Sequence, residues 1–271
     1  MKELSQTGFV TATYPRDLRA AVINTAAAWQ DFCALPEEIK KGLPYSSDSD
    51  GVGYEHKDGT GNAADKKENF DATTAGREWL RKNIEGIDPS ARYFVEHALS
   101  LVELIKPTAL EFARAVEETY NLPGLYEEVD SDDAAFFVRF IHYFGNRNLN
   151  EQTAHAHTDQ GGFTFHLYES DPGLQCLTRN NDWIDMPVSA GQTVIIPSMQ
   201  MQLRSEGKLT ALCHRVIATE TTAKHGRYSA VCFVQLSKTR KHNKRSSGRL
   251  QEKTPGFNYN MPHEEFSKLF M

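Results

Sequence analysis

His157-Thr158-Asp159 sets an imidazole and a carboxylate two residues apart. On an extended strand that spacing puts both side chains on one side. The surrounding segment, EQTAHAHTDQGG, carries the pair to a double glycine, where a strand end can turn and let the two groups converge. A second imidazole, His214 in LTALCHRVIATE, follows Asp159 by 55 residues, room for several strands and their turns. Two histidines and one carboxylate suit iron(II): they fill three adjacent coordination positions and leave the others open for reactants. The HxD pattern alone is common, and it gains weight from a distant histidine in an apolar, strand-like run.

Thirteen residues after His214 come Arg227-Tyr228-Ser229. Arg227 and Ser229 share a strand face and together can hold a carboxylate, by a charge-assisted pair and a hydroxyl hydrogen bond. A guanidinium in the apolar run that continues as YSAVCFV is costly without a counter-charge. Ser229 cannot supply one, so the expectation is an acid ligand. His155 lies on the face of His157 and reads as a surface residue or a supporting one. His142 points away from its neighbour Tyr143 and is not expected at a metal. His166 shares strand parity with Thr164 and is expected, with Thr164 and Arg139, to face substrate; a buried polar group there needs a partner. His56, His97, His225, His242 and His263 read as surface residues, and Trp183 and Phe233 as core.

These groups need a frame. Residues 16–33 combine helix formers with apolar positions at helical spacing, and Pro36 opens a short helical piece, PEEIKKGL. Residues 44–76 contain SSDSDG, KDGTGN and ATTAG, read as loop near a site entrance. Over 89–120, Leu99, Val102, Ile105, Ala109, Phe112, Ala113 and Val116 form a buried helical stripe, which Pro107 should kink or divide. After Asp133 the chain turns to short β-branched or aromatic runs such as AAFFVRFIHYF, GGFTFHLYE, QTVIIPS and RYSAVCFVQL, separated by turns: a β-sandwich or barrel.

Bulk properties narrow the class. The 271 residues carry 39% hydrophobic and 24% charged side chains and a net charge of −6, which fits an ordinary globular protein and argues against a general nucleic-acid binder. One stretch departs from this: Lys238, Arg240, Lys241, Lys244, Arg245, Arg249 and Lys253 face Glu252 alone. It reads as a solvated loop or as a loop attracting anionic substrates. Cys33, Cys176, Cys213 and Cys232 form no CxxC pair, so neither a zinc site nor a redox dithiol is indicated. MKELSQTGFV has no apolar core of a signal peptide, and no run of about 18 apolar residues occurs. A cytoplasmic setting with free thiols is expected.

The stretch from HTDQGGFTFHLYESDPGLQCL through WIDMPVSAGQTVIIPSMQMQLRSEGK to CHRVIATETTAKHGRYSAVCFV resembles the iron(II)/2-oxoglutarate-dependent dioxygenases, most closely the isopenicillin N synthase-like group, the iron/ascorbate oxidoreductases. GFV, FCALPEEIKK, GVGYEHKDGTG and DKKENF are similar to that group's helical half. The resemblance implies an α+β fold, a double-stranded β-helix (jelly roll) core with a helical N-terminal half. It is expected to form a single unit over 1–271: 1–130 mainly helical, 131–250 the jelly roll and 251–271 a tail. It implies Fe(2+) on His157, Asp159 and His214, and the far carboxylate of 2-oxoglutarate on Arg227, Ser229 and Tyr143, with ascorbate as a stimulant. Related sequences often carry Asn two residues before that tyrosine and Pro after it, where this chain has Ile141 and Phe144. They also usually have an extra strand before the GF segment, which here begins at Gly8. The implied activity is oxidation of a small metabolite, most often hydroxylation, with dioxygen as co-reactant, no nucleic-acid or membrane partner, and a monomeric or small homo-oligomeric state. Two alternatives stay open: an iron(II) oxidase in which Arg227 and Ser229 hold the substrate's own carboxylate, and a non-catalytic metal-binding sensor.

Overall fold

The computed structural model describes residues 1–45, 51–59, 65–131, 135–178, 180–187, 189 and 191–236. The basic stretch at 238–253, the tail at 251–271, and 46–50 and 60–64 of the turn-rich segment lie outside the described residues. The helices are α1 (Glu3–Gln6), α2 (Arg16–Cys33), α3 (Glu37–Lys40), α4 (Arg77–Asn83), α5 (Pro89–Tyr120), α6 (Leu125–Asp130), α7 (Met199–Arg204) and α8 (Thr222–His225). The strands are β1 (Val10–Thr13), β2 (Gly53–Asp58), β3 (Lys66–Thr73), β4 (Ala135–Tyr143), β5 (Gln152–His157), β6 (Phe163–Glu169), β7 (Leu174–Leu177), β8 (Trp183–Asp185), β9 (Gln192–Pro197), β10 (His214–Ile217) and β11 (Arg227–Gln235).

Helix α5 starts where Asp88 caps it. The Asp88 carboxylate accepts from the backbone N–H of Ser90 at 2.8 Å, and Pro89 takes the first turn, where its missing N–H costs nothing. The helix ends at Asn121, which adopts the left-handed conformation at φ 49°. Of the kink or division that the sequence suggested at Pro107, the division does not occur: the helix runs through it as one element. Its buried stripe packs against α2, and Trp29, Phe32, Phe70, Phe94 and Phe140 interlock between the helices and the sheet. That apolar weight compensates the hydrogen bond that proline removes.

The strands form two antiparallel sheets, in the orders β1-β9-β6-β11-β4-β3-β2 and β5-β10-β7-β8. This is the jelly-roll architecture in which two sheets enclose a mouth. The larger sheet turns one face to the helices, with Phe136, Val138, Phe140 and Phe70 in the main core. Its other face meets the small sheet, where Ile141, Tyr143, Val194, Ile196 and Val231 pack with Ala154, Leu174, Cys176 and Val216. Segment 44–76, read as loop, contains strands β2 and β3, which extend the large sheet beyond β4. Trp183, read as core, is partly exposed on β8 under the Arg215 guanidinium, 4.0 Å from its ring centroid. Phe233 is also only partly buried, stacked on Phe137 at 5.3 Å. Cys33, Cys176, Cys213 and Cys232 are all unbridged. Among the described residues no helix is long and apolar enough to cross a membrane.

Candidate metal and acid-binding site

His157 is the last residue of β5 and His214 the first of β10, and the two face each other across the ladder. Asp159 stands beyond the end of β5, so the turn, not strand parity alone, brings it to the histidines. The turn is held by backbone: Met199 donates to the Asp159 carbonyl at 2.8 Å and Gly162 to the Val234 carbonyl at 2.7 Å. A Cβ on Gly162 would lie 2.8 Å from the Leu236 side chain and 3.1 Å from the Val234 carbonyl oxygen. Only the bare backbone fits this close approach.

The ligand atoms of His157, Asp159 and His214 lie within 4.8 Å of one another. His157 Nδ1 is 2.7 Å from the His155 carbonyl and His214 Nδ1 is 3.1 Å from the Leu212 carbonyl. Each carbonyl can only accept, so each Nδ1 carries the proton and each Nε2 keeps a free lone pair. Those Nε2 atoms sit 3.5 Å and 3.8 Å from the Asp159 carboxylate oxygens. The Thr164 hydroxyl, expected to meet substrate, instead donates to Asp159 Oδ2 at 2.6 Å. A bonded carboxylate and two imidazoles oriented through their second nitrogens are the supports a metal site needs. Protonation states agree for His214 and Asp159, whereas at His157 burial lowers the imidazole and the adjacent Asp159 carboxylate outweighs it, for a net upward shift. Burial pushes the His214 imidazole down to about 4, so it is neutral at ordinary pH. Burial would raise the Asp159 carboxyl, but His214, His157 and Thr164 outweigh it and hold it below the usual range. The donor set therefore fits a divalent metal with three open positions.

Cross-strand register maps the rest of the inner face. Arg227 pairs with Tyr143, which pairs on with Lys67; Ser229 pairs with Glu169 and with Ile141, which pairs on with Asn69; Val231 pairs with His166 and with Arg139, which pairs on with Asp71. A Cβ on Gly226, at φ 83°, would lie 2.5 Å from the Tyr143 carbonyl, so a glycine must lead into Arg227 here. Arg227 is 1% exposed, with Nε donating to the Asp171 carbonyl at 3.1 Å. Contrary to the expectation that it lacks a counter-charge in the protein, its Nη2 lies 2.6 Å from Glu169 Oε2. The contact is close but poorly aligned, and neither atom makes a hydrogen bond of good geometry.

Glu169 reaches this face through a β-bulge. Ala230 pairs with Tyr168 but Val231 with His166, so Leu167 is the extra residue and parity inverts across it. His166 and Glu169, three apart, thereby face the same way, and His166 Nδ1 is 3.0 Å from Glu169 Oε1. The His166 ring meets His214 edge-on at 5.6 Å, and its Nε2 is buried without a partner. Arg139 faces the interior as expected, yet it makes a two-pronged pair with buried Asp71 at 2.7 and 2.8 Å. Tyr143 is buried beside Arg227's strand position, with Lys67 5.7 Å from its ring centroid.

His155 and His142 fall as read, and His242 and His263 lie outside the described residues. His155 is exposed and bonded to Asp65 at 2.9 Å. His142 stacks on Tyr228 at 4.2 Å, away from the triad. Sequence reasoning missed Glu169 and Asp71. Both stand in charged or polar strand ends, and nothing in their local pattern says which face they take.

Residues 133–236 match the pattern of the 2OG-Fe(II) oxygenase superfamily. A 2-oxoglutarate-dependent dioxygenase of Didymella fabae is 26% identical over 262 residues, covering 86% of this chain and 77% of that one. Among solved structures, Neurospora crassa T7H in complex with alpha-KG superimposes with a TM-score of 0.74 at 20% identity, over 99% of this chain and 88% of that one. The rice dioxygenase for auxin oxidation does so with a TM-score of 0.69 at 18% identity, over 99% and 86%. The jelly roll, the His-Asp-His cluster and these relatives agree on an iron(II)- and 2-oxoglutarate-dependent dioxygenase, with residues 133–236 carrying the match to the 2OG-Fe(II) oxygenase superfamily.

Proposed function

We propose that this enzyme hydroxylates a small metabolite, with iron(II) on His157, Asp159 and His214 and the far carboxylate of 2-oxoglutarate on Arg227, Ser229 and Tyr143. The observation that carries the residue assignment is the convergence of the two free Nε2 atoms on an Asp159 braced by Thr164, on the same inner face as a buried guanidinium. Iron(II) and 2-oxoglutarate together supply the oxidant, and decarboxylation of the keto acid to succinate and carbon dioxide is coupled to oxidation of the substrate.

The chain's own residues orient and exclude. Backbone carbonyls fix the imidazole tautomers, and Thr164 fixes the carboxylate. Arg227 offers a planar fork to a carboxylate, which a lysine would not match. Because Glu169 already stands at that fork, an arriving dicarboxylate displaces it, and His166 Nδ1 is the adjacent group that retains the Glu169 carboxylate. The substrate lies on the inner face near His166 and Arg139. Related folds take varied small molecules: Neurospora T7H has been crystallised with thymine and with 5-formyluracil, and JOX2 with 2OG, Fe and JA. The test is succinate release from 2-oxoglutarate under iron(II), ascorbate and air, across a panel of nucleobases, plant-hormone acids and amino acids. One hydroxylated product per succinate is expected for a true substrate. Oxidised product without succinate would overturn the co-substrate assignment.

A further inference from the structure

Asn69 sits on β3 on the inner face, opposite Ile141, with Lys67 and Asp71 on either side along the strand. Its side chain is fully buried, and neither its amide nitrogen nor its amide oxygen has a hydrogen-bond partner. A primary amide offers two donors and two acceptor lone pairs, and folded proteins seldom bury one with all of them unused. The neighbours are already committed: Asp71 to Arg139, Lys67 to Asp65. One strand row away from Arg139, Phe137 and Phe233 stack with an interplanar angle of 28°, and the Arg139 guanidinium lies 5.0 Å from the Phe137 ring centroid. Across the same sheet His166 Nε2 is another buried polar atom without a hydrogen bond.

We propose that Asn69 is the recognition residue of the substrate subsite, and that the substrate is a flat ring with a lactam or imide edge. Such an edge sets a carbonyl beside a ring N–H. The amide nitrogen of Asn69 donates to the carbonyl and its oxygen accepts from the N–H, so one ligand edge satisfies both atoms at once. A carboxylate has no donor for the Asn69 oxygen and finds no uncommitted cation among these neighbours. The aromatic pair beside Arg139 supplies a surface for a planar ring. Since Asn69 is closed to water, side chains over the inner face must part to admit the ring. This proposal rests on the oxygenase reading above and names the substrate class of that site.

The experiment uses full-length protein loaded with manganese(II) and 2-oxoglutarate, and calorimetric titration with uracil, 1,3-dimethyluracil and benzoate. Uracil binding is expected, with dimethyluracil and benzoate weaker by at least about thirtyfold, since both hydrogen bonds are lost or halved. Asn69→Leu should weaken uracil by a similar factor and leave 2-oxoglutarate affinity within about twofold. Without ligand Asn69→Leu should also melt at or above the wild-type temperature, because it removes an unsatisfied buried amide. Asn69→Asp, which keeps the size but loses the donor, should also lose uracil. Uracil binding unchanged in Asn69→Leu, or a much lower melting temperature for that variant, overturns the proposal. Protein that binds 2-oxoglutarate but not uracil overturns the proposal alone. Protein that binds no 2-oxoglutarate overturns the oxygenase reading and this proposal with it.

Discussion

Among the described residues two clusters bring potential metal ligands together equally closely, and only one is built like a metal site. His157, Asp159 and His214 bring three ligand atoms within 4.8 Å, and so do Cys33, Glu68 and His142. In the second cluster the carboxylate is already spent. Glu68 accepts from Lys40 at 2.6 Å and from Tyr54 at 2.7 Å, and His142 Nδ1 lies 2.8 Å away. The cation a metal would supply is already present as the Lys40 ammonium. In the first cluster no lysine or arginine pairs with Asp159 among the described residues, and both histidines turn their protonated nitrogens away from it. Proximity of ligand atoms therefore says little until the counter-charges are named. The Glu68 cluster joins α3, β2 and β4 and is a structural cross-tie; the Asp159 cluster opens to solvent through half-exposed His157.

The largest expected effect separates them directly. Asp159→Ala and His214→Ala should lose iron and all measurable succinate release while remaining folded. Glu68→Ala should keep one iron per chain by elemental analysis. Iron loss in Glu68→Ala with retention in Asp159→Ala would reverse the assignment.

Next in size is the acid site. Arg227→Ala should raise the 2-oxoglutarate Kd by about 2–5 kcal/mol, roughly thirtyfold to several-thousandfold, with iron binding unchanged. Glu169→Gln removes the competing carboxylate and should lower that Kd. A raised Kd in Glu169→Gln would mean that Glu169 helps to hold the co-substrate rather than standing in its place. Calorimetry with the manganese form decides both.

The structural cluster should declare itself in stability. Burial pushes the Glu68 carboxyl up, but His142, Lys40 and Tyr54 outweigh it and bring it down to about 2. A carboxyl depressed by folding contributes stability above its unfolded pKa of about 4.3 and loses it as pH falls toward the folded value. The shift is worth about 3 kcal/mol. Urea unfolding of wild type should weaken between about pH 5 and pH 2. Glu68→Ala should lose about 3–5 kcal/mol at neutral pH, because Lys40 is left buried and unpaired, and should show a flatter acid limb. Equal acid slopes in the two proteins would remove Glu68 from this role.

The smallest effect tests the brace. Thr164→Val keeps shape and deletes the hydroxyl on Asp159, which should cost about 10–100-fold in iron affinity. An unchanged iron Kd would show that Asp159 needs no such support.

Much of this was legible in the residues, for local reasons. The types and spacing of His157, Asp159, His214, Arg227 and Ser229 specify a donor set without knowledge of the fold. Helices α2 and α5 announce themselves because an amphipathic stripe repeats over many turns. Strands β2 and β3 did not. Their runs GYEHKD and KKENFDAT carry charges on the face that looks into the jelly-roll mouth, and polar inner positions erase the alternation that marks a half-buried strand.

What only the tertiary structure decided is which polar groups meet. Strand parity is a local rule and puts His166 and Glu169 on opposite faces. The bulge at Leu167 overrides it, and a bulge belongs to the pairing of β6 with β11, not to either strand alone. Through that one extra residue Glu169 reaches Arg227, and the buried guanidinium acquires a protein carboxylate that its own segment gives no sign of. Asp71 reaches Arg139 by regular register alone, directly opposite it on a strand 68 residues away in the chain. The residues set the chemistry available to the mouth; the register between distant strands set the partners, because a charge is neutralised by what lies across the sheet and not by what lies beside it in the chain.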